Sequence, residues 1–184
     1  MPIVFVPTCP PDMKIQLDAY KQAVSDGVKD IYIVRKLHSH AEVKGIISEA
    51  SVCVSSRHHP IIFALGKGVP CVSLNYSPYF NAKNFGAMAL CGMEQFSVDV
   101  SNAEMTLTGL ADFSGRLRDL LENRERLSVQ ILKSHTALKA AKSEFMKRTK
   151  QIWNASFCEP QVTSSRAPSL FGIRLPIKLP SRSR

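Results

Sequence analysis

The stretch Ser55-Ser56-Arg57-His58-His59-Pro60-Ile61-Ile62-Phe63-Ala64-Leu65-Gly66-Lys67-Gly68-Val69-Pro70 decides how the chain is read. It follows the apolar run Val52-Cys53-Val54, reads as a helix from about Pro60 to Lys67, and leads into a second apolar run, Val69 to Leu74. Pro60 suits a first helical turn, where its missing N–H costs little, and Gly68 suits the left-handed position beyond a last turn. A short helix between two β-rich runs is the unit from which parallel sheets are built. Where the first strand turns into the helix stand an arginine and two histidines, a cation beside titratable imidazoles, as an anion-binding and proton-transferring site requires.

The same alternation extends to both sides. Toward the N-terminus, Pro2 to Val6 and Ile31 to Val34 are continuous apolar runs of the kind buried on both faces of a parallel sheet. Between them Asp12 caps a helix that Gly27 stops, and a helix from about Ala41 to Ala50 follows the polar loop Arg35 to His40. Toward the C-terminus, the turn Asn75-Tyr76-Ser77-Pro78 leads into a helix from about Phe80 to Cys91, and Gln95 to Val100 is a short fifth strand. The pattern predicts an α/β fold with a Rossmann-like parallel sheet and helices on both faces. Right-handed crossovers place Thr8 and Cys9, Arg35 to His40, Ser56 to His59 and Asn75 to Ser77 along one carboxyl edge, where open α/β sheets bind ligands.

From about Leu107 to Trp153 the periodicity is helical alone, with Leu117, Leu120, Leu121, Leu127 and Ile131 forming an apolar stripe in a basic segment. The last residues mix Pro160, Pro168, Pro176 and Pro180 with serine and arginine, which predicts a disordered basic tail. The expected organisation is an α/β domain over 1–106, C-terminal helices packing on it over 107–153, and the tail over 154–184.

A chain of 184 residues with 45% hydrophobic and 21% charged residues has the length and composition of one soluble core. The formal charge of +9 sits largely in the helical segment and the tail, without interleaved aromatics, so no specific nucleic-acid partner is expected. Five widely spaced cysteines form neither a disulfide framework nor a Cys-x-x-Cys site. Cys53 and Cys71 read as small buried hydrophobes, which suggests a reducing compartment. No run approaches the roughly 18 apolar residues of a membrane span, and no secretory leader is recognisable, so a cytoplasmic protein is expected.

There is no Gly-x-Gly-x-x-Gly, no phosphate-loop lysine and no Gly-x-Ser-x-Gly elbow, and no cofactor is expected. His58 and His59 are adjacent, without carboxylates completing a ligand set, so no metal is expected either. Arg57 either grips a carboxylate or phosphate with its planar fork, aided by the free N–H groups of the following helix, or pairs with a structural carboxylate. His59 is the candidate general acid or base, and His58 packs or caps. Ser56, Tyr76 and Lys83 are candidate substrate contacts at the rim. They are equally ordinary turn and helix residues.

Ser56-Arg57-His58-His59, followed by Ile62-Phe63-Ala64-Leu65, Gly68-Val69-Pro70 and Asn75-Tyr76, resembles the C-terminal half of the polysaccharide pyruvyl transferase family. The resemblance implies the C-terminal domain of a glycosyltransferase-B-like fold and transfer of a pyruvyl group from phosphoenolpyruvate to sugar hydroxyls, giving a cyclic ketal. By it, Arg57 holds the phosphate or carboxylate of phosphoenolpyruvate and His59 binds or protonates it. Ser77 stands where many members carry an acidic residue. The resemblance also implies an incomplete enzyme, with acceptor contacts coming from an N-terminal half-domain or a homo-oligomer. Two other classes fit the pattern: a nucleotide-sugar-binding domain of a glycosyltransferase, and a non-catalytic interaction protein that keeps the fold.

Overall fold

A computed structural model describes residues 1–157; of the tail expected over 154–184, residues 154–157 continue the last helix and the rest lies outside the described residues. The chain divides into a unit of residues 1–143 and a second unit from residue 144. In order, the elements are β1 (Ile3–Phe5), α1 (Pro10–Ser25), β2 (Ile31–Ile33), α2 (His40–Ser48), β3 (Cys53–Ser55) and α3 (His58–Gly66). They continue with β4 (Cys71–Asn75), α4 (Pro78–Ala89), a 3-10 turn (Glu94–Phe96), β5 (Ser97–Asp99), α5 (Ala103–Glu122) and α6 (Arg124–Phe157). The described part of the second unit is the end of α6, where Arg148 pairs with Glu144 one turn away.

The fold is α/β, and every strand pair is parallel, as the alternation predicts. Among the described residues the strands form two small sheets rather than one: β1 pairs only with β2, and β4 lies between β3 and β5. Such an arrangement is compatible with a Rossmann-like fold. The expectation that Pro2 to Val6 and Ile31 to Val34 are buried on both faces is not met. Ile3 is 47% exposed, Val4 49% and Tyr32 56%. With three residues each and no third strand alongside among the described residues, β1 and β2 bury little of their own surface.

The core belongs to the other sheet. Its buried side chains come from α2, α3, β4, the end of α4, the 3-10 turn, β5, α5 and α6, among them Val43, Ile61, Val72, Met88, Phe96 and Leu120. β4 is buried along nearly its whole length because it is paired on both edges and covered on both faces. Side chains alternate across a strand. Val72 and Leu74 therefore share one face with Val98, while Ser73 and Asn75 share the other with Ser97 and Asp99, their register partners. α4 covers the polar face through Asn81 and Asn84. α5 reaches the apolar face through Gly109, where a Cβ would stand 2.7 Å from the Asp99 carbonyl oxygen and against Val98 and Val100.

The helix ends explain themselves locally. α1 starts at Pro10, with prolines at its first positions, so Asp12 lies inside the first turn rather than capping it. α2 starts with a capping box in which Ser39 and Glu42 exchange hydrogen bonds. α4 is capped by Ser77. α3 runs from His58 with Pro60 in its first turn, and Gly68 follows at φ +76°, as its sequence predicts. Gln130 of α6 donates to the carbonyls of Cys91 and Gly92, which ties the first turns of that helix to the end of α4. Arg116 of α5 donates to the carbonyls of Gln95 and Ser97 and so joins α5 to the entry of β5.

Candidate functional site

The carboxyl ends of β3 and β4 carry the residues singled out from the sequence. β3 ends at Ser55, whose hydroxyl accepts from the Arg57 N–H and donates to the Arg57 carbonyl, making a tight turn into α3. Arg57 is the residue before the helix, and no side chain caps the first N–H groups of α3. Ser56 is half-buried in that turn.

Of the two readings of Arg57, pairing with a carboxylate is realised. Its Nε and Nη2 donate to one oxygen of Asp12, at 3.1 and 2.6 Å. The other oxygen accepts from the Thr8 hydroxyl at 2.8 Å and the Thr8 N–H at 3.3 Å. Burial raises the Asp12 carboxyl, but hydrogen bonds from Arg57, Thr8 and Cys9, with the charge of Arg57, outweigh it and hold the group below its ordinary value. The hydrogen bond and charge of Asp12 in turn raise Arg57 against the opposing effect of its own burial. The Arg57 side chain stays 39% exposed, so it is oriented by Asp12 without being sealed from solvent.

The two histidines part company. His59 is exposed, its ring 6.2 Å from that of His40 and 6.3 Å from that of Phe63. His58 is half-buried, and its Nδ1 lies 2.9 Å from Oδ1 of Asn84, a fully buried residue of α4. From Asn84 a polar network crosses the face of the sheet. Asn84 Nδ2 donates to Asn75 Oδ1 at 2.8 Å, and Ser73 donates to the same oxygen at 2.9 Å. Asn75 Nδ2 donates to the Ser97 hydroxyl at 2.8 Å and to Asn81 Oδ1 at 3.3 Å, and Asn81 Nδ2 donates to Asp99 at 3.5 Å. Buried amides are costly unless paired, and these are paired.

Tyr76 is exposed just past β4 with its ring 4.6 Å from Phe80, and Lys83 stands with Nζ 5.7 Å from the centre of the Tyr79 ring. Tyr76 acts on Arg57 electrostatically, helping to raise it, whereas Lys83 stays on α4 beside Tyr79; the imidazoles of His58, His59 and His40 come together at the start of α3. His38 lies with Nδ1 3.4 Å from Glu42, the capping carboxylate of α2, which its hydrogen bonds with Ser39 lower to about 2. Burial pushes the Cys53 thiol up to about 12 and the neighbouring Cys71 thiol up as well, as expected of cysteines that serve as packing.

The residues not singled out beforehand are Asn75 as a buried group, Asn81, Asn84 and Asp99. Their signal is spacing. Ser73 and Asn75 are polar at period two in an otherwise apolar strand, and Asn81 and Asn84 are three apart on the next helix. Polar periodicity on two consecutive elements marks a polar interface between them.

The fold is that of an α/β protein with parallel strands, and its carboxyl edge carries an arginine and imidazoles ahead of α3, the edge where ligands of open α/β sheets bind. The comparison with protein families is more specific: residues 8–78 match the polysaccharide pyruvyl transferase model. The match supports the resemblance carried by Ser56 to Tyr76 and marks the segment as pyruvyl-transferase-like. It includes Asp12, Arg57, His58, His59 and Tyr76 and stops short of Lys83. No curated protein and no solved structure matches the chain.

Proposed function

We propose that this protein is pyruvyl-transferase-like in activity, using phosphoenolpyruvate as donor and sugar hydroxyls as acceptor to form a cyclic ketal. The observation that supports this most is the coincidence of the family match over residues 8–78 with the strand–helix turn that carries Arg57. Arg57, held by Asp12 through Nε and Nη2, offers Nη1 and its exposed face to the phosphate or carboxylate of the donor. The open N-terminus of α3 adds positive potential at the same place. His59 supplies the proton that the methylene carbon of the enol must gain, and Ser56, Tyr76 and Lys83 contribute to the rim. In this reading a second copy of the chain or a partner chain contributes acceptor contacts, and the work is cytoplasmic polysaccharide synthesis.

Thermal unfolding with millimolar phosphoenolpyruvate tests the donor site. Protection is expected in the wild type and its loss in Arg57→Ala. Absence of protection in the wild type would sink this reading, and protection by a uridine or guanosine diphosphate sugar instead would transfer it to the nucleotide-sugar class.

A further inference from the structure

We propose that His58 is a working base of this site, locked in one tautomer by a relay of three buried or half-buried asparagines that ends on the Asp99 carboxylate. The inference rests on the pyruvyl-transfer reading for its substrate, and on the hydrogen-bond network alone for the tautomer.

The direction of the relay follows from donor and acceptor chemistry. An ionised carboxylate only accepts, so Asn81 must turn its NH2 toward Asp99 and its carbonyl oxygen toward Asn75. Asn75 then donates to that oxygen and to the Ser97 hydroxyl, and its own oxygen accepts from Asn84. Asn84 has its NH2 committed in turn, so only its oxygen faces His58. The sole group that can satisfy a buried amide oxygen there is an Nδ1–H. The serines do not disturb this order, because a hydroxyl rotates to donate or accept as required.

Neutral His58 therefore carries its proton on Nδ1 and a lone pair on Nε2. Nε2 has no hydrogen-bond partner among the described residues, and His58 is only half-buried. An imidazole held at one nitrogen by a fixed acceptor, with the other nitrogen free, is how a base is oriented in catalysis. His59 has no such support. Its ring, about 6.1 Å from that of His58, makes only ring contacts among the described residues. Two imidazoles at the helix start, one oriented and one free, suit a reaction that consumes two hydroxyls.

The atoms balance. One acceptor hydroxyl loses its proton to His58 Nε2 as its oxygen bonds the central enol carbon, and the π pair of the enol takes a proton from His59 at the methylene carbon. The second hydroxyl oxygen then bonds the same carbon while the carbon–oxygen bond to phosphate breaks. His58 returns its proton to the departing phosphate, and the second hydroxyl proton restores His59. Nothing is oxidised or reduced.

Nitrogen-15 NMR of the full chain labelled at histidine reads both parts of the proposal. Neutral wild-type His58 is expected as the Nδ1–H tautomer. Asp99→Asn, which keeps the shape of the relay but can donate as well as accept, is expected to yield a mixture of tautomers at His58 with the fold intact. Asn84→Leu is the harsher second variant. With phosphoenolpyruvate bound, a methyl hexopyranoside is expected to move the Nε2 signal of His58 in the wild type. An Nε2–H tautomer in the wild type, an unchanged tautomer in both variants, or an unmoved Nε2 signal in the donor-loaded protein would overturn the assignment. Failure of phosphoenolpyruvate to bind at all would instead remove the pyruvyl-transfer reading and with it the base role, leaving the tautomer lock to be judged by the variants.

Discussion

Asp12 shows how one side chain joins parts of the chain that the sequence keeps apart. It lies 45 residues from Arg57, and its two oxygens are divided between that guanidinium and Thr8. Because its folded-state value lies below the ordinary carboxylate value of 3.8, the carboxylate contributes stability at pH values above that figure. The contribution fades as pH falls through the lower folded value, where both states become protonated. Asp12→Asn should therefore destabilise the protein near neutral pH by roughly 1–2 kcal/mol, modest because Arg57 is partly solvated. The gap between variant and wild type should close on acidification below about pH 4. Urea unfolding at a series of pH values measures this, and a gap that widens toward acid would contradict the linkage. The sequence offered Asp12 only as a helix cap, since a capping signal is local and an ion pair across 45 residues is not. Arg57 itself was legible as a cation at a strand-to-helix turn, and so was the alternative that it meets a carboxylate.

At the scale of elements, the sequence carried most where order is set by local chemistry. The order of strands and helices and the bounds of α3, with Pro60 in its first turn and Gly68 beyond its last, follow from turn residues and apolar runs. What escaped it is the contact between elements. The polar side of β4 was hidden because Ser73 and Asn75 sit in an apolar run, and only their register against Ser97 and Asp99 and the approach of α4 turn them into a network. The apolar side of that sheet depends on Gly109, which lets α5 approach the backbone of β5. A methyl group there would meet the Asp99 carbonyl oxygen, part of the backbone and unable to swing aside. Gly109→Ala should cost about 1–3 kcal/mol by forcing α5 outward, despite alanine's better helix propensity. A rise in thermal midpoint for this variant would show that α5 does not depend on the close approach.

The whole molecule departs furthest from its sequence in the division of the sheet. Apolar runs at Pro2 to Val6 and Ile31 to Val34 look like the buried strands of a single sheet, because hydrophobicity reports that a strand is suited to burial and not what covers it. Among the described residues β1 and β2 pair only with each other, and Val4 and Tyr32 remain about half exposed, while β4 is enclosed. Protection against hydrogen exchange follows the free energy of local opening, which is low where few apolar contacts must break. The amides of β1 and β2 should therefore exchange well ahead of those of Val72 and Leu74, with Asp12→Asn speeding the former and leaving the latter nearly unchanged. Equal protection in the two sheets would mean that the N-terminal strands open only with the core. The carboxylate that orients Arg57 belongs to the helix between those two strands. If they open first, the cation at the candidate site loses its orientation before the imidazole held by Asn84 loses its own, and binding of an anion at Arg57 should slow exchange in β1 and β2 more than in β4.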